Sequence, residues 1–495
     1  MLKKIKNNKT KFFNILVFIT FSIFILFIAF NHENYEDEAQ SWLIARDLSP
    51  IGVIKQMAYE GHSPLWYFII MPFAKLGFPV VSQNIISCLF AIATVYLILK
   101  KIDCNKLYKI LFIFNGGMIF WYSVIARPYA LIPFLLILIS IYYKDRKKHP
   151  YIYSLLLALL CQTHLIMLPT ACLLAAEYYG FGMFKEKNND KKKLVRGFII
   201  FSISLLVMCT IVLIAKNTCK ITDVHINANK IKNMSELNFK IKSTMNNSMK
   251  ILYGDKKVSG LFYNLVCISI SFILIGSFKN LKQAIFFWSQ FLFVFLLHSF
   301  FWFEIPPRVY IIIITMMFWV INYKYDLKKY ENNTLLELGV IMFMILSSIG
   351  TYKLAYQDIK ENYSTGKITA EYIKKNISKD SIFICTDTEL SQSINIYLKK
   401  NDYKFYMPNT QKYITYVIFD EKWSKGISSD DVDKAIKKLS HKNIYLLSQI
   451  EQQTANLKLL YSSTDKMMKS YYPRYEQYKI YKIKKDVKAA TNKHD

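Results

Sequence analysis

Long apolar runs separated by short lysine-rich segments dominate the chain from about residue 12 to residue 350. Several of the runs are about 15 to 20 residues long, close to the length that an α-helix needs to cross a bilayer. Taken in order, they predict an α-helical polytopic membrane protein with about eleven transmembrane helices. The expected spans cover residues 12–30, 80–99, 107–121, 130–143, 151–161, 165–184, 198–215, 261–275, 286–302, 309–321 and 335–349.

The lysines between the runs predict the direction of each span. Cytoplasmic loops carry an excess of Lys and Arg, and nearly every short lysine-rich loop falls on one side of this arrangement. The N-terminus is therefore expected in the cytoplasm, and no small-residue cleavage site precedes Asn31, so the first run is expected to be an uncleaved helix. Residues 216–257 are lysine-rich yet fall outside. Either they serve anionic lipid or diphosphate groups there, or the count is wrong by one span.

Residues 31–79 form the first outer loop in this arrangement. Within it, residues 37–48 carry apolar side chains at roughly helical spacing, which predicts a short amphipathic helix lying at the membrane interface. Ser49-Pro50 and Gly52 end this helix, and a second helix is expected over residues 53–59. The apolar stretch that follows is too short to span the bilayer.

From residue 351 onward the chain is polar and is expected to form a separate extracytoplasmic domain over residues 351–485. Helices are predicted at 368–377, 390–399 and 430–439, and strands at 381–386, 413–419, 443–447 and 475–483. Strands that alternate with helices indicate a small α/β layer structure. It has no glycine-rich phosphate loop. Residues 486–495 are expected to be a disordered tail.

Composition agrees with a membrane protein. The chain is 53% hydrophobic, and its mean hydropathy is +0.19. A net charge of +29 would suggest nucleic acid in a soluble protein. Because these lysines lie between apolar runs, topology and anionic lipid head groups explain the charge better, and no nucleic-acid partner is expected. The eight cysteines are scattered without a Cys-x-x-Cys motif, so no zinc site is indicated, and a Cys219–Cys385 bridge stays open.

Ionisable and aromatic polar side chains gather at the outer ends of the predicted spans. Acidic residues inside the apolar runs are confined to Glu177 and Glu337, which argues against an ion-coupled transporter with groups near the midplane. The pattern favours a catalytic cavity at the outer interface, open to both lipid and water. The residues concerned are Asp37, Glu38, Glu60, His62, Arg127, Tyr129, His164, Glu304, Arg308 and Tyr310.

Each of these residues also has a simpler explanation when it is taken alone. Acidic residues can cap and solubilise a helix start, and His62 beside Ser63-Pro64 can structure a turn. Arginines and tyrosines at helix ends often serve as interfacial anchors. The combination, a carboxylate pair facing several cations, suits glycosyl transfer from a lipid phosphate. The acceptor hydroxyl needs a base, the leaving phosphate needs cations, and the sugar carbon becomes oxocarbenium-like.

Five short motifs in residues 12–323 carry a resemblance to a known family. They are Asp37-Glu38, His62-Ser63-Pro64-Leu65, Ala126-Arg127-Pro128-Tyr129-Ala130-Leu131, Thr163-His164 and Pro307-Arg308-Val309-Tyr310. In this order they resemble the GT-C superfamily of membrane glycosyltransferases, specifically the family 39 type with its protein O-mannosyltransferases and lipid A aminoarabinose transferase. Ser63 stands where that family usually has proline, which puts any transfer of acceptor preference in doubt.

The resemblance implies a polyprenyl-phosphate sugar as donor, used outside the cytoplasm and generally with inversion at the sugar carbon. It implies a hexosyl- or pentosyltransferase in the cell membrane with Asp37 as general base. Glu38 would orient this site or, with Asp37, help to hold a divalent metal ion if one binds. His62, Arg127 and Arg308 would bind the donor phosphate. The supporting residues would be Glu60, Tyr129, His164, Glu304 and Tyr310.

The sequence leaves the sugar and the acceptor open. The acceptor could be a protein, a cell-wall polymer such as teichoic acid, or another lipid. Two other functions also remain. One is a flippase or transporter for lipid-linked glycans without chemistry, and the other is a polymerase or ligase that acts on lipid-linked glycans.

Overall fold

The computed structural model describes residues 2–180, 188–220, 233–300, 306–326, 333–439, 443–452, 456–463 and 476–483. Glu304 and the predicted tail 486–495 lie outside these residues. Within them the chain is mostly helical up to residue 376 and carries a β-sheet beyond it.

The described residues before the sheet form a bundle of helices. Its α-helices are α1 Leu2–Asn31, α2 Glu36–Asp47, α3 Pro50–Glu60, α4 Leu65–Lys75, α5 Val81–Lys101, α6 Lys106–Ile113, α7 Leu131–Tyr143, α8 Pro150–Cys161, α9 Leu168–Ala175, α10 Asn188–Thr218, α11 Met234–Tyr253, α12 Gly260–Ser277, α13 Leu281–Phe300, α14 Pro306–Asp326 and α15 Thr334–Lys360. Two π-helical turns, Gly117–Trp121 and Ala176–Gly180, and two 3-10 turns, Pro128–Ala130 and Leu165–Met167, complete it.

In the described parts of the chain, five helices are long and apolar enough to cross a membrane. They are Thr10–Asn31, Val81–Lys101, Lys191–Thr218, Gly260–Ser277 and Thr334–Lys360. Each coincides with one of the predicted spans to within a residue or includes it, and their outward faces carry large exposed apolar side chains. By length and composition, these helices are consistent with the membrane character that the sequence predicts. Five further predicted spans correspond to shorter apolar helices: Pro128–Tyr143, Pro150–Cys161, Leu165–Gly180, Ala284–Phe300 and Pro306–Asn322.

The span predicted over residues 107–121 is not one continuous helix. Helix α6 ends at Ile113, and a π-helical turn begins at Gly117. Between them the Asn115 amide accepts from the backbone N–H of Gly117 at 2.9 Å and donates to Ser348 at 3.1 Å. An asparagine side chain that bonds nearby backbone competes with helical hydrogen bonds, so the helix breaks at this point.

Two short helices follow the first span, as expected, and the first of them is enclosed by the rest of the protein. Ser49 accepts from Gly52 N–H at 3.1 Å and starts α3. Helix α2 is buried along most of its length, from Glu38 through Ala45. It packs against α4 and against the C-terminal region. The sequence pattern could not reveal that the C-terminal region covers this helix. The helix predicted over 37–48 is therefore present, but its residues are buried around the helix rather than divided into a polar and an apolar face.

The polar loop predicted over residues 216–257 contains a helix of 20 residues, α11. Asn233 caps its start by accepting from Glu236 N–H at 2.9 Å, and Gly254 ends it in the left-handed conformation. A Cβ added at Gly254 would lie 2.6 Å from Gly350 Cα, so glycine is required where this helix meets α15. The packing of α11 against α15 therefore stabilises a segment whose polar sequence suggested a loop.

The C-terminal region contains one sheet with strand order β3-β2-β1-β4-β6-β5. Its strands are β1 Ile382–Cys385, β2 Lys404–Met407, β3 Lys412–Tyr413, β4 Ile444–Ser448, β5 Leu457–Ser462 and β6 Lys479–Ile483, and its helices are α16 Gly366–Asn376, α17 Gln392–Asn395, α18 Glu421–Ser424 and α19 Ser429–Leu439. The central strand β1 is parallel to both neighbours. Apolar clusters cover the two faces of the sheet. The α/β layer structure is thus present in the described residues.

Several predicted elements in this region differ from the structure. The strand predicted over 413–419 is reduced to the two residues of β3, and the helix over 390–399 is reduced to α17. Strands β2 and β5 were not predicted. Cys219 and Cys385, both within the described residues, are buried and do not form the bridge that was left open.

The helices bring the predicted site residues to one end of the bundle. Asn14, in the first half of α1, donates to the Leu99 carbonyl at the end of α5 at 3.2 Å, so these helices are antiparallel. At the other end of α1, His32 contacts Asp358 near the end of α15. Tyr122 donates to the Pro307 carbonyl at 2.6 Å and joins the start of α14 to the same end.

Candidate functional site

The site is built around the first turn of α2, where Asp37 and Arg127 meet. Arg127 Nη1 donates to the backbone carbonyl of Asp37 at 2.8 Å and to Ser41 Oγ at 3.4 Å. Tyr35 donates to Asp37 Oδ2 at 3.4 Å. Burial opposes the charge of Arg127, but the Asp37 carboxylate together with Tyr35, Tyr67 and Tyr129 outweighs burial, and the pKa of Arg127 is raised. A permanent cation is therefore fixed beside the Asp37 carboxylate.

Glu38 points away from this cation and into the protein. Its Oε1 accepts from Ala126 N–H at 2.6 Å and from Asn84 Nδ2 at 3.0 Å. Its Oε2 lies 2.9 Å from His32 Nε2, and the other ring nitrogen of His32 lies 2.8 Å from Asp358 Oδ2. All three side chains are fully buried. Burial lowers the pKa of His32, but the two carboxylates raise it by more, and the net pKa lies well above the usual value for histidine. The ring is therefore an imidazolium between them.

The Asp37–Glu38 pair does not fit a shared metal ion. Both oxygens of Glu38 are engaged by protein donors, and the side chain is inaccessible. Hard divalent cations need carboxylate oxygens that face the ion. In the part of the chain that the structure describes, no group of three or more His, Cys, Asp or Glu side chains could hold a metal.

Glu60, at the end of α3, is a second carboxylate of the site. Its Oε1 accepts from Gln40 at 2.8 Å and from Gln56 at 3.1 Å, and its Oε2 lies 3.5 Å from the Tyr67 hydroxyl. Burial raises the pKa of Glu60 to about 7, although the amides of Gln40 and Gln56 favour the charged form. This carboxyl group therefore changes its protonation near neutral pH.

Two histidines and a tyrosine form a ring cluster next to Arg127. The rings of His62 and His164 lie 5.5 Å apart, and Tyr129 stacks on His164 at 5.0 Å. Ile166 N–H donates to His164 Nδ1 at 3.1 Å, so the neutral ring carries its proton on Nε2, which lies 3.3 Å from the Tyr129 hydroxyl. The two histidines are therefore aligned through their ring contacts and the Tyr129 hydroxyl.

Burial and nearby positive charge keep both histidines neutral. Burial, followed by Arg127 and Arg308, lowers the pKa of His62 to about 3. The same causes, with His62 added, lower the pKa of His164. Arg308 stands in the first turn of α14, and its charge acts on both rings. An anion that entered this cluster would meet two permanent cations and uncharged imidazoles that can donate N–H bonds.

The remaining predicted residues have different surroundings. Tyr310 is fully buried, and its hydroxyl donates to the Ser347 carbonyl at 2.5 Å, so it joins α14 to α15. Glu304 lies outside the described residues. The structure thus brings together Asp37, Glu60, His62, Arg127, Tyr129, His164 and Arg308, and it separates Glu38 and Tyr310 from that cluster.

Sequence reasoning did not single out His298, His32, Asp358 or Gln40. His298, on α13, is 5% exposed, lies within the electrostatic reach of Arg308, and has an Nε2 atom without a hydrogen-bond partner among the described residues. A histidine within an apolar run was the signal that could have identified it. His32 directly follows the first span, but its partner Asp358 is too distant in sequence for the pair to be inferred.

Comparison of the chain with family models, with curated proteins and with solved structures gives no match.

Proposed function

We propose that the protein transfers a sugar from a polyprenyl-phosphate carrier to an acceptor hydroxyl. The observation that carries the proposal is the arrangement at the first turn of α2. Arg127 and Arg308 act electrostatically on the neutral His62 and His164, and Arg127 is bonded to the backbone of Asp37, whose carboxylate also acts on His62. The arginines can bind the phosphate of the donor, and the Asp37 carboxylate can take the proton of the acceptor hydroxyl, so donor and acceptor can react there.

In the proposed reaction Asp37 takes the proton of the acceptor hydroxyl. The hydroxyl oxygen attacks the anomeric carbon of the sugar while the bond from that carbon to the phosphate oxygen breaks. The departing lipid phosphate gains negative charge, which Arg127, Arg308 and the N–H of His62 stabilise. Attack from the side opposite to the phosphate inverts the configuration at the sugar carbon.

Glu38 has a positioning role in this proposal. It accepts from the backbone N–H of Ala126, the residue directly before Arg127. It is also anchored by His32 and Asn84. These bonds hold the start of α2 against the segment that carries Arg127, so Glu38 sets the distance between the base and the cation.

The proposed topology has about eleven spans of the GT-C type. The N-terminus lies in the cytoplasm, and residues 351–485 form an extracytoplasmic domain of a protein in the cell membrane. The lysine distribution supports this arrangement, and so does the gathering of site residues at the end of the bundle where α1 ends. The lipid carrier would then reach the site from the outer leaflet.

The function is tested on purified protein in lipid with a panel of radiolabelled polyprenyl-phosphate sugars and candidate acceptors. Release of polyprenyl phosphate that depends on an acceptor is the expected result. Release of a lipid diphosphate instead would favour a polymerase or ligase. Movement of labelled lipid across the bilayer without release would favour a flippase and overturn the proposal.

Substitution of Arg308 should weaken donor binding. Arg308→Gln is expected to raise the KM for the donor by about tenfold to a hundredfold, because a charge-assisted contact to phosphate is lost. Initial rates at varied donor concentration measure the effect. Arg196→Gln, at an exposed arginine near the other end of the bundle, is the matched control and should leave KM within about twofold. An unchanged KM in Arg308→Gln would remove Arg308 from phosphate binding.

The raised pKa of Glu60 predicts a pH-dependent stability. The folded protein favours the protonated form of Glu60. Its contribution to the free energy of unfolding is therefore fully present below the unfolded pKa and is lost as pH rises through about 7. The glutamine in Glu60→Gln resembles the protonated carboxyl group and does not titrate. The unfolding temperature of this variant should therefore not fall with pH on account of residue 60. The measurement is the difference in unfolding midpoint between the variant and the wild type across this pH range.

Burial also raises the pKa of Glu33 to about 7. Glu33 affects the unfolding midpoints of the wild type and of Glu60→Gln alike, so the difference between the two midpoints reports Glu60 alone. A constant difference across the pH range would show that Glu60 does not titrate there.

A further inference from the structure

One segment of the C-terminal region leaves the sheet and pairs with the helix that carries Asp37. After β3 ends at Tyr413, residues 414–419 do not continue as a strand. Val417 N–H donates to Gln40 Oε1 at 2.9 Å, and Gln40 Nε2 donates to the Val417 carbonyl at 2.9 Å. The Gln40 amide thus satisfies the Val417 backbone in both directions, as a neighbouring strand would.

Gln56 completes the contact from α3. Its Nε2 donates to the Val417 carbonyl at 3.2 Å and to Glu60 Oε1 at 3.1 Å. Gln40 Nε2 also donates to Glu60 Oε1. Each amide group has two hydrogens, and each uses one for Val417 and one for Glu60. The segment, the two helices and the Glu60 carboxylate therefore share one set of hydrogen bonds.

Further contacts hold the same helix from the C-terminal side. Glu36 N–H donates to Glu476 Oε1 at 2.7 Å, in the first turn of α2. Lys400 pairs with Asp47 at 3.0 Å, where α2 ends. Asp37 lies between these contacts, three residues before Gln40, so its backbone is held on the turn that the C-terminal region engages.

We propose that Gln40 is a positioning residue that makes the C-terminal region an integral part of the site. Through Gln40 the segment 414–419 holds α2 and sets the position of Asp37 and the protonation of Glu60. The inference rests on the proposed function only for its effect on the reaction; the coupling between Val417 and Glu60 is independent of it. The charged and titratable groups that act on Glu60 are Arg127, Asp37, Tyr67 and Tyr416.

Gln40→Leu in the full-length protein tests this inference, because leucine has a similar size and no hydrogen-bonding group. Two measurements do not need activity. The first is amide hydrogen exchange of residues 414–419, which should be faster by about tenfold or more at Val417. The second is the pH at which stability changes, which should move upward, since Glu60 loses a donor that favours its charged form.

The kinetic expectation separates positioning from binding. In Gln40→Leu the kcat should fall by about tenfold or more while the donor KM stays within about twofold, because Arg308 and His62 still hold the phosphate. Gln56→Leu is the matched comparison: it removes one donor from Glu60 and one from the Val417 carbonyl, but it keeps both bonds between Gln40 and Val417, including the bond of the Val417 N–H. It should move the pH of the stability change with little effect on exchange at Val417.

Lys400→Gln breaks the contact at the far end of α2, through a lysine side chain that is 51% exposed. It should leave the exchange at Val417 and the kcat within about twofold and should not move the pH of the stability change. Unchanged exchange at Val417 in Gln40→Leu would overturn the coupling. Faster exchange with an unchanged pH of the stability change would overturn the link to Glu60. Both expected changes with an unaltered kcat would overturn the positioning role, and absence of transfer by the wild type would count against the proposed function alone.

Discussion

Asp37→Asn is expected to lower the rate of sugar transfer by about a hundredfold to ten-thousandfold, the usual contribution of a positioned general base. Asparagine keeps the shape of the side chain but has no basic oxygen to take the acceptor proton. Two contacts of this turn involve the backbone carbonyl of Asp37 and the backbone N–H of Glu36, and neither depends on the carboxylate. The Tyr35 hydroxyl donates to the carboxylate, and the amide oxygen of asparagine can still accept that bond. The fold should therefore persist while the chemistry is lost.

The measurement is release of polyprenyl phosphate under single-turnover conditions, with the unfolding midpoint as a check on the fold. Glu36→Gln is the matched control, since it removes a carboxylate from the same helical turn and should change the rate by no more than about threefold. If Asp37→Asn retains the wild-type rate, Asp37 is not the base. Glu60, with its pKa of about 7, would then be the carboxylate to test.

His32→Ala is expected to lower the free energy of unfolding by about 3–5 kcal/mol, the cost of breaking a buried ion pair by removing one partner. Glu38 and Asp358 would remain buried without the imidazolium that lies between them. Because the pKa of His32 is raised in the folded state, the stabilisation is complete at low pH and is lost as pH rises through that elevated pKa. The unfolding midpoint of purified protein at neutral pH measures the loss.

A second substitution shows whether the loss comes from unpaired charge. Glu38→Gln should cost much less in the His32→Ala background than in the wild type, since the charge that it removes is already without its partner. His149→Ala, at an exposed histidine, is the control and should leave the midpoint nearly unchanged. Additive effects of His32→Ala and Glu38→Gln would contradict the coupling between these two residues.

The pair Asp37-Glu38 shows how far a motif can be interpreted. Its sequence indicated a polar group of functional importance directly after the first span. Consecutive residues of a helix point about 100° apart, so the two carboxylates cannot share one role by adjacency alone. Glu38 points inward because its carboxylate is hydrogen-bonded there by His32, Asn84 and the backbone N–H of Ala126. Those partners come from three separate segments, and no local sequence pattern predicts them.

The segment 413–419 shows the same limit for local structure. Its aromatic and β-branched residues have strand propensity, and the strand prediction followed from that. A strand also needs a partner for its backbone groups, and at Val417 that partner is the side chain of Gln40 on a distant helix. The tertiary contact replaced the strand pairing that the propensity suggested.

The sequence by itself determined the features that depend on composition and short-range pattern. These are the membrane character, the positions of most apolar helices, the α/β alternation after residue 351, and a set of ionisable residues at helix ends. Burial of apolar surface and backbone hydrogen bonding within a helix are local or additive, so a linear pattern can reveal them. Only the tertiary structure decided which carboxylate faces the arginines, which one is fixed in the interior, and that the C-terminal region holds α2. Those outcomes depend on hydrogen-bond partners hundreds of residues apart, and the chain reveals them only once it has folded.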